Sequence, residues 1–198
     1  TFLLTLLCSL DINTASAEAF CALRDPVSSI YTLYPNATAY QSIVRTVNSQ
    51  TREHIITHLP HFNLHFSEMG RHTLYVALQD GKKIGYVHMR SEQSQWGLVE
   101  VAWALNLDLS VKDFVFQRAR NPSRKYLETP DFKSQLSGRS FNTLQTLLDS
   151  PFAEFSAPLF TDEDALQLAS VVVKSAMKTV LITEQAWRED LHFMENEP

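Results

Sequence analysis

Histidine is the most concentrated of the residue types in this sequence that can bind metals or transfer protons. The sequence contains seven histidines, most of them between positions 54 and 72. His54 and His58 are four residues apart in a segment whose pattern predicts a helix, so their imidazoles share one face. Two imidazoles at this spacing can bind zinc or another transition metal, although surface and hydrogen-bonded core histidines give the same pattern. The candidate ligands of a metal or a haem iron are His54, His58, His61, His65 and His72.

A basic segment directly follows a predicted strand and is a candidate anion site. Its members, on either side of Asn121 and Pro122, are Arg118, Arg120, Arg124 and Lys125. Arginine offers a two-pronged fork to phosphate or carboxylate, while the alternative is an ordinary solvated loop. Trp96-Gly97 and Trp103 offer surfaces for ring stacking or, alternatively, apolar bulk for a core.

Composition excludes several classes of function. The net charge is −5, without long blocks of one sign, which argues against a nucleic-acid binder because such a protein needs a basic stripe. The five glycines are scattered, so no glycine-rich phosphate loop of the dinucleotide or P-loop kind is present. No Gly-x-Ser-x-Gly sequence supports a hydrolase.

The first residues have the pattern of an export signal. The apolar run from Phe2 to Leu10 is followed by Ala15-Ser16-Ala17, a small-x-small ending that predicts cleavage after Ala17. The run is much shorter than the roughly 20 residues of a spanning helix. We therefore expect residues 1–17 to be part of a signal peptide, and residues 18–198 to form one exported domain without a membrane span. Cys21 is then the one remaining cysteine, so no internal disulfide is expected.

Hydrophobic periodicity predicts an α+β domain. The segment Asp80–Lys83 separates two alternating runs and has the composition of a hairpin turn. Successive strands with short connections predict an antiparallel, twisted meander sheet that is packed by helices before and after it. The predicted strands are 40–47, 61–66, 72–79, 84–90, 96–107 and 111–118, and the predicted helices are 25–34, 51–59, 132–136, 140–148 and a long one from Thr161.

Four short strings of the sequence have a family resemblance: Leu33–Ala37, Asp80–Tyr86, Leu105–Phe116 and Leu127–Gly138. They resemble parts of the FMN-binding domain of the periplasmic flavoprotein subunits in Rnf and sodium-pumping NADH:quinone reductase complexes. The likeness covers more than half of the chain, mainly residues 74–183. The attachment sequence of that family, Ser-Gly-Ala-Thr, aligns with the segment that ends Leu168-Ala169-Ser170. There Ser170 replaces the acceptor threonine and Leu168 replaces the glycine.

The resemblance implies a fold, a cofactor and a set of contacts. It implies an FMN-binding-domain-like sheet with noncovalent FMN. Ser170 and Lys174 are expected near the phosphate, Arg120 and Asn121 near the ring or ribityl chain, and Trp96 and Gly97 on the opposite wall.

The resemblance also implies a periplasmic protein that serves electron transfer, as an accessory more than as a stand-alone enzyme. Its partner would be a redox membrane complex or a periplasmic electron carrier. The alternative is a flavin-free module that keeps the scaffold and binds a metal, haem or a partner protein through its histidines.

Overall fold

A computed structural model of the protein describes residues 25–59, 62–149 and 162–195. A 3₁₀ helix at Phe66–Glu68 precedes the second strand. In chain order the other elements are α1 (Val27–Leu33), β1 (Ala39–Val47), α2 (Ser49–Ile56), β2 (Gly70–Gln79), β3 (Lys82–Ser94), β4 (Gly97–Leu105), β5 (Val111–Arg118), α3 (Arg124–Leu127), α4 (Pro130–Leu136), α5 (Phe141–Asp149), α6 (Glu163–Ala186) and α7 (Arg188–Glu195).

The five strands form one antiparallel sheet in the order β1-β2-β3-β4-β5. This confirms the predicted α+β meander and adds β1 to its edge, where Ala39 pairs with Leu78. The turn between β2 and β3 has Asp80 and Gly81 at φ 50° and 78°, the left-handed pair that a tight hairpin requires. The predicted hairpin is therefore present at the predicted place.

Helix α6 covers one face of the sheet and forms the larger core. Its buried side includes Ala169, Val173, Ala176 and Met177, which recur at the spacing of one helix face. They share an apolar cluster with Trp103 and other inward residues of β2 to β5. By length and composition α6 could also cross a membrane, but 72% of its apolar window is buried inside this domain.

Helix α1 covers part of the opposite face and is attached to the sheet by Tyr34. The Tyr34 hydroxyl donates a hydrogen bond to the Leu105 carbonyl at 2.6 Å. It lies against Gly85, where a Cβ atom would be 2.1 Å from that hydroxyl oxygen. Gly85 also has φ 151°, so both space and backbone require glycine here. Burial raises the pKa of Tyr34 far above its ordinary value, so the hydroxyl stays a donor.

The sheet is split at one end between β2 and β3. Their pairing stops at Leu74 and His88, although both strands continue. Beyond that point β2 stays paired with β1 as far as Gly70, and β3 stays paired with β4 as far as Ser94. Polar side chains occupy the wedge between the two parts of the sheet.

The strand predicted over residues 61–66 is not formed. Residues 62–65 have no regular structure and lead into the 3₁₀ helix. In a strand Leu64 and Phe66 would lie on one face, but Leu64 is buried and Phe66 is 67% exposed beneath the Arg52 guanidinium. The Arg52 side chain also donates to the Leu64 carbonyl at 2.7 Å, a bond that holds this backbone without a strand partner. His65 caps the 3₁₀ helix instead of lining a sheet face.

The start of α6 differs by one residue from the prediction. The N-cap is Asp162, whose carboxylate accepts from the amides of Asp164 and Ala165. Thr161, the predicted cap, and the predicted signal peptide lie outside the described residues, as do Cys21 and His61.

Candidate functional site

The residues expected to hold FMN lie at two places along α6. Ser170 and Lys174 are one turn apart on the helix, and both are half-buried. Asn121 lies at the start of α6, where its amide donates to the Asp164 carbonyl at 3.2 Å. Arg120, beside it, is exposed.

Trp96 and Gly97 lie in the β3–β4 hairpin, near the start of α6. Trp96 is 42% exposed, and the neighbouring Gln95 donates to the Asp164 carboxylate at 2.6 Å. The hairpin and the Asn121 loop thus meet at the first turn of α6.

The protein's own side chains satisfy the amino end of α6. The Asp162 carboxylate accepts two helix amides and the Ser123 hydroxyl, the latter at 2.7 Å. The hydrogen bond from Ser123 lowers the pKa of Asp162, so this carboxylate is charged at neutral pH. Asn121 also bonds within the protein, because its carbonyl oxygen accepts from the Ser123 amide and its amide donates to the Asp164 carbonyl. This end of the helix therefore does not fit a phosphate.

A buried ionic cluster fills the wedge between β2 and β3. Lys178, on α6, donates to both carboxylate oxygens of Glu68, at 2.9 and 3.0 Å, and to Glu92 at 2.9 Å. The Arg90 guanidinium also contacts Glu68 and lies 3.4 Å from Glu92. All four side chains are more than nine-tenths buried. We call these four residues the ionic cluster.

The charges of the ionic cluster balance. Burial alone would raise the pKa of Glu68, but the Arg90 and Lys178 charges outweigh it and hold that pKa below its ordinary value. Two carboxylates thus face two cations. The Nε and Nη1 atoms of Arg90 are buried and have no hydrogen-bond partner among the described residues. The cluster therefore has donor capacity left over.

Two neutral histidines continue the polar wedge inward. His72 Nε2 donates to the Glu68 carbonyl at 2.9 Å, which leaves Nδ1 to accept from His88 Nε2 at 3.3 Å. His88 Nδ1 then accepts from the Thr183 hydroxyl at 2.9 Å. Burial, and then Arg90, lower the pKa of His72 to about 4, and burial lowers that of His88 well below its ordinary value. Both imidazoles are therefore uncharged at neutral pH.

A cavity of about 430 Å³ opens over the ionic cluster, between α6, the end of β3 and the segment before β2. We call it the α6 cavity. Glu68, Glu92 and Lys178 lie at its base, and Lys174 and Phe62 lie on its wall. Its volume lies within the range of small-molecule sites. Its other lining residues are Asn63, His65, Ser67, Ser91, Gln93 and Val171.

Of the six residues expected to contact FMN, Lys174 lines the α6 cavity. Lys174 places its ammonium 5.8 Å from the centre of the Phe62 ring, so a cation and an aromatic face are adjacent. Ser170 does not line the cavity. Because Arg120, Asn121, Trp96 and Gly97 belong to the start of α6, the structure does not bring the six expected residues to one cavity.

The four candidate metal ligands that the structure describes do not form one group, and the fifth, His61, lies outside the described residues. His54 and His58 line a second cavity, His65 lines the α6 cavity, and His72 is buried against His88. Across residues 25–59, 62–149 and 162–195, no three histidine, cysteine or acidic side chains are grouped closely enough to hold a metal ion together.

The ionic cluster was not anticipated from the sequence, although two signals were present. Lys178 interrupts the apolar run between Met177 and Val180 on the predicted inner side of α6. In β3 the alternation places Arg90 and Glu92 on the side of the sheet that His88 faces. A charge on each of two facing elements predicts a buried ion pair, because neither charge can be buried alone.

Comparison with protein-family models, with curated proteins and with solved structures gives no match.

Proposed function

We propose that this chain binds FMN noncovalently in the α6 cavity and serves electron transfer outside the cytoplasm, as an accessory of a redox complex or of a periplasmic electron carrier. The observation that carries the proposal is the position of Lys174. It is one of the two residues expected at the phosphate, and it lies on the wall of a ligand-sized cavity next to an aromatic ring. The resemblance to FMN-binding domains and the α+β meander support the same proposal.

Lys174 supplies the charge that a phosphate needs. Lys178 lies one turn further along α6, and its ammonium is already paired with the carboxylates of Glu68 and Glu92. Lys174 forms no ion pair with a described residue, so it is the cation of this cavity that a phosphate dianion can pair with. A charge-assisted bond of this kind is stronger than a neutral hydrogen bond.

The remaining wall suits a flat, polar-edged ring. Phe62 offers an aromatic face, and aromatic pairs gain free energy beyond the area they bury. The edge of a flavin ring has both hydrogen-bond donors and acceptors. The cavity can match both kinds of group through the side chains of Asn63, Ser91 and Gln93. When bound, FMN supplies the electron chemistry, while the chain binds and orients it. Ser170 has no covalent role in this proposal, because it lies outside the cavity.

The proposal is tested by titrating the untagged chain with FMN and with riboflavin, following flavin fluorescence. Riboflavin lacks the phosphate, so wild type should prefer FMN, and Lys174→Ala should weaken FMN binding roughly tenfold or more. Riboflavin binding should not change in that variant. Lys82→Ala, an exposed lysine in the β2–β3 hairpin, is the matched control and should bind FMN like wild type.

Two results would contradict the proposal. One is a wild-type protein that binds neither flavin, which would favour the flavin-free module. The other is FMN binding that Lys174→Ala leaves unchanged, which would place the flavin elsewhere. An absorbance spectrum of protein isolated from its host separates these cases further, because a Soret band would identify haem.

A further inference from the structure

A second cavity lies further along α6, toward its C-terminal end, and holds His54 and His58, the two candidate metal ligands that the structure places side by side. It measures about 520 Å³ and is bounded by α2, α5 and α6. The polar side chains on its wall that carry the argument are His54, His58, Asp108, Glu184 and Arg188. The α6 cavity shares none of these residues.

We propose that His54 and His58 bind one divalent transition-metal ion at this cavity. The two rings lie side by side, with centres 4.8 Å apart and planes tilted by 41°. Both side chains are exposed, so a metal ion can reach them without opening the fold. Borderline metals such as Zn²⁺ bind neutral imidazole nitrogen.

The orientation of His58 is already suited to metal binding. Its Nδ1 donates to the His54 carbonyl at 2.8 Å. A carbonyl oxygen can only accept, so the proton is on Nδ1 and the Nε2 lone pair is free. Metal-binding histidines typically donate their other ring N–H in this way, which fixes the tautomer and the ring direction.

Glu184 adds a negative charge to the same cavity. It is exposed on α6, and its carboxylate makes no hydrogen bond or ion pair with any described residue. Asp108, on the same wall, is already an acceptor for the Ser110 hydroxyl and amide. We assign the two imidazoles as the protein ligands of this site, with water in the remaining positions.

The charges at the cavity favour a cation. Asp108 and Glu184 contribute two negative charges, and Arg188 contributes one positive charge. The Arg188 guanidinium donates a hydrogen bond to the Gln185 side chain at 2.8 Å. The hydrogen bonds from Ser110 lower the pKa of Asp108, so its charge is present throughout the neutral range. With neutral imidazoles the wall has an excess of one negative charge, and an anion is disfavoured there.

The test is calorimetric titration of the untagged full chain with ZnCl₂. We expect one zinc ion per chain, and His54→Gln or His58→Gln should weaken its binding about tenfold or more, since even outer-shell changes at metal sites cost this much. Glu184→Gln should weaken it less. His65→Gln is the matched control, because His65 is also exposed but lies at the α6 cavity, and it should bind Zn²⁺ like wild type.

Because the substituted side chains are exposed, thermal melting of the metal-free variants should match wild type, which separates binding from folding. Co²⁺ in place of Zn²⁺ gives a visible spectrum that should be lost in the double variant His54→Gln, His58→Gln. Zinc binding that survives the double variant, or that His65→Gln abolishes, would overturn the proposal. FMN affinity should be unchanged in the double variant, so the two proposals succeed or fail separately.

Discussion

Lys178 carries a charge in the middle of a helix that otherwise covers an apolar sheet face. Its ammonium is fully used by Glu68 and Glu92, and both carboxylates depend on it. Removing one partner of a buried ion pair lowers the free energy of unfolding by more than the intact pair adds to it, because the remaining charge stays buried without a partner. The side chain is therefore a structural requirement of the base of the α6 cavity.

Lys178→Met should lower the free energy of unfolding by roughly 3–5 kcal/mol, because it leaves two buried carboxylates with Arg90 as their one remaining cation. Urea denaturation at pH 7 measures this. Lys174→Met, one turn away and half-buried, should cost much less. Adding Glu92→Gln to Lys178→Met should recover part of the loss, and equal losses in the two lysine variants would contradict this role.

Among individual residues, the sequence indicated types of chemistry better than positions. Lys174 was expected at an anion site and does line a cavity, because the period of α6 is regular enough to set its direction. His65 could not be placed, because residues 62–65 of the predicted strand form a loop that leads into a 3₁₀ helix. Loop conformation depends on tertiary partners such as Arg52, which local periodicity does not show.

At the scale of elements, the attachment of α1 to the sheet depends on one glycine and one tyrosine. Tyr34 donates to the Leu105 carbonyl, and Gly85 leaves the space for its ring. The hydrogen bond is buried, so its acceptor has no water to replace it.

Gly85→Ala should destabilise the protein by about 1–3 kcal/mol or more, because the new Cβ overlaps the Tyr34 hydroxyl. Gly97→Ala, at φ 90° with no atom within 4 Å of the new Cβ, controls for the backbone cost alone. Tyr34→Phe should lower the free energy of unfolding by about 1–2 kcal/mol, because the buried Leu105 carbonyl loses the hydrogen bond from the hydroxyl. Chemical denaturation measures all three, and equal costs for the two glycine variants would exclude the steric role.

The strands and helices were largely predictable because their patterns are strong. Residues 111–118 match β5, and the hairpin turn at Asp80 was identified from its composition. The pattern did not predict that β2 and β3 separate beyond Leu74 and His88. That split depends on polar residues from three separate segments, so no local window contains it.

At the scale of the molecule, buried histidines couple stability to pH. Folding lowers the pKa of His72 from an ordinary 6.5 to about 4. Between these values the unfolded chain binds more protons than the native protein, so stability decreases as the pH falls. Glu68, whose pKa is also lowered, acts in the same direction at lower pH.

We expect the free energy of unfolding to fall from pH 6.5 downward, with His72 contributing about 3 kcal/mol of the loss by pH 4. Thermal melting from pH 7.5 to 4.5 measures the slope. His72→Gln should flatten that slope, whatever it does to stability at pH 7. His54→Gln, at an exposed position, should leave the slope unchanged, and an unaltered slope in His72→Gln would contradict the assignment.

The position of α6 in the chain has a consequence for biosynthesis. The five strands of the described residues precede this helix in sequence, yet α6 covers the apolar face that β2 to β5 share. A ribosome therefore completes the sheet-forming segments before it makes the element that shields them. Until then the nascent chain exposes its most aggregation-prone surface, so the order of the elements delays folding and leaves a period in which a chaperone can bind.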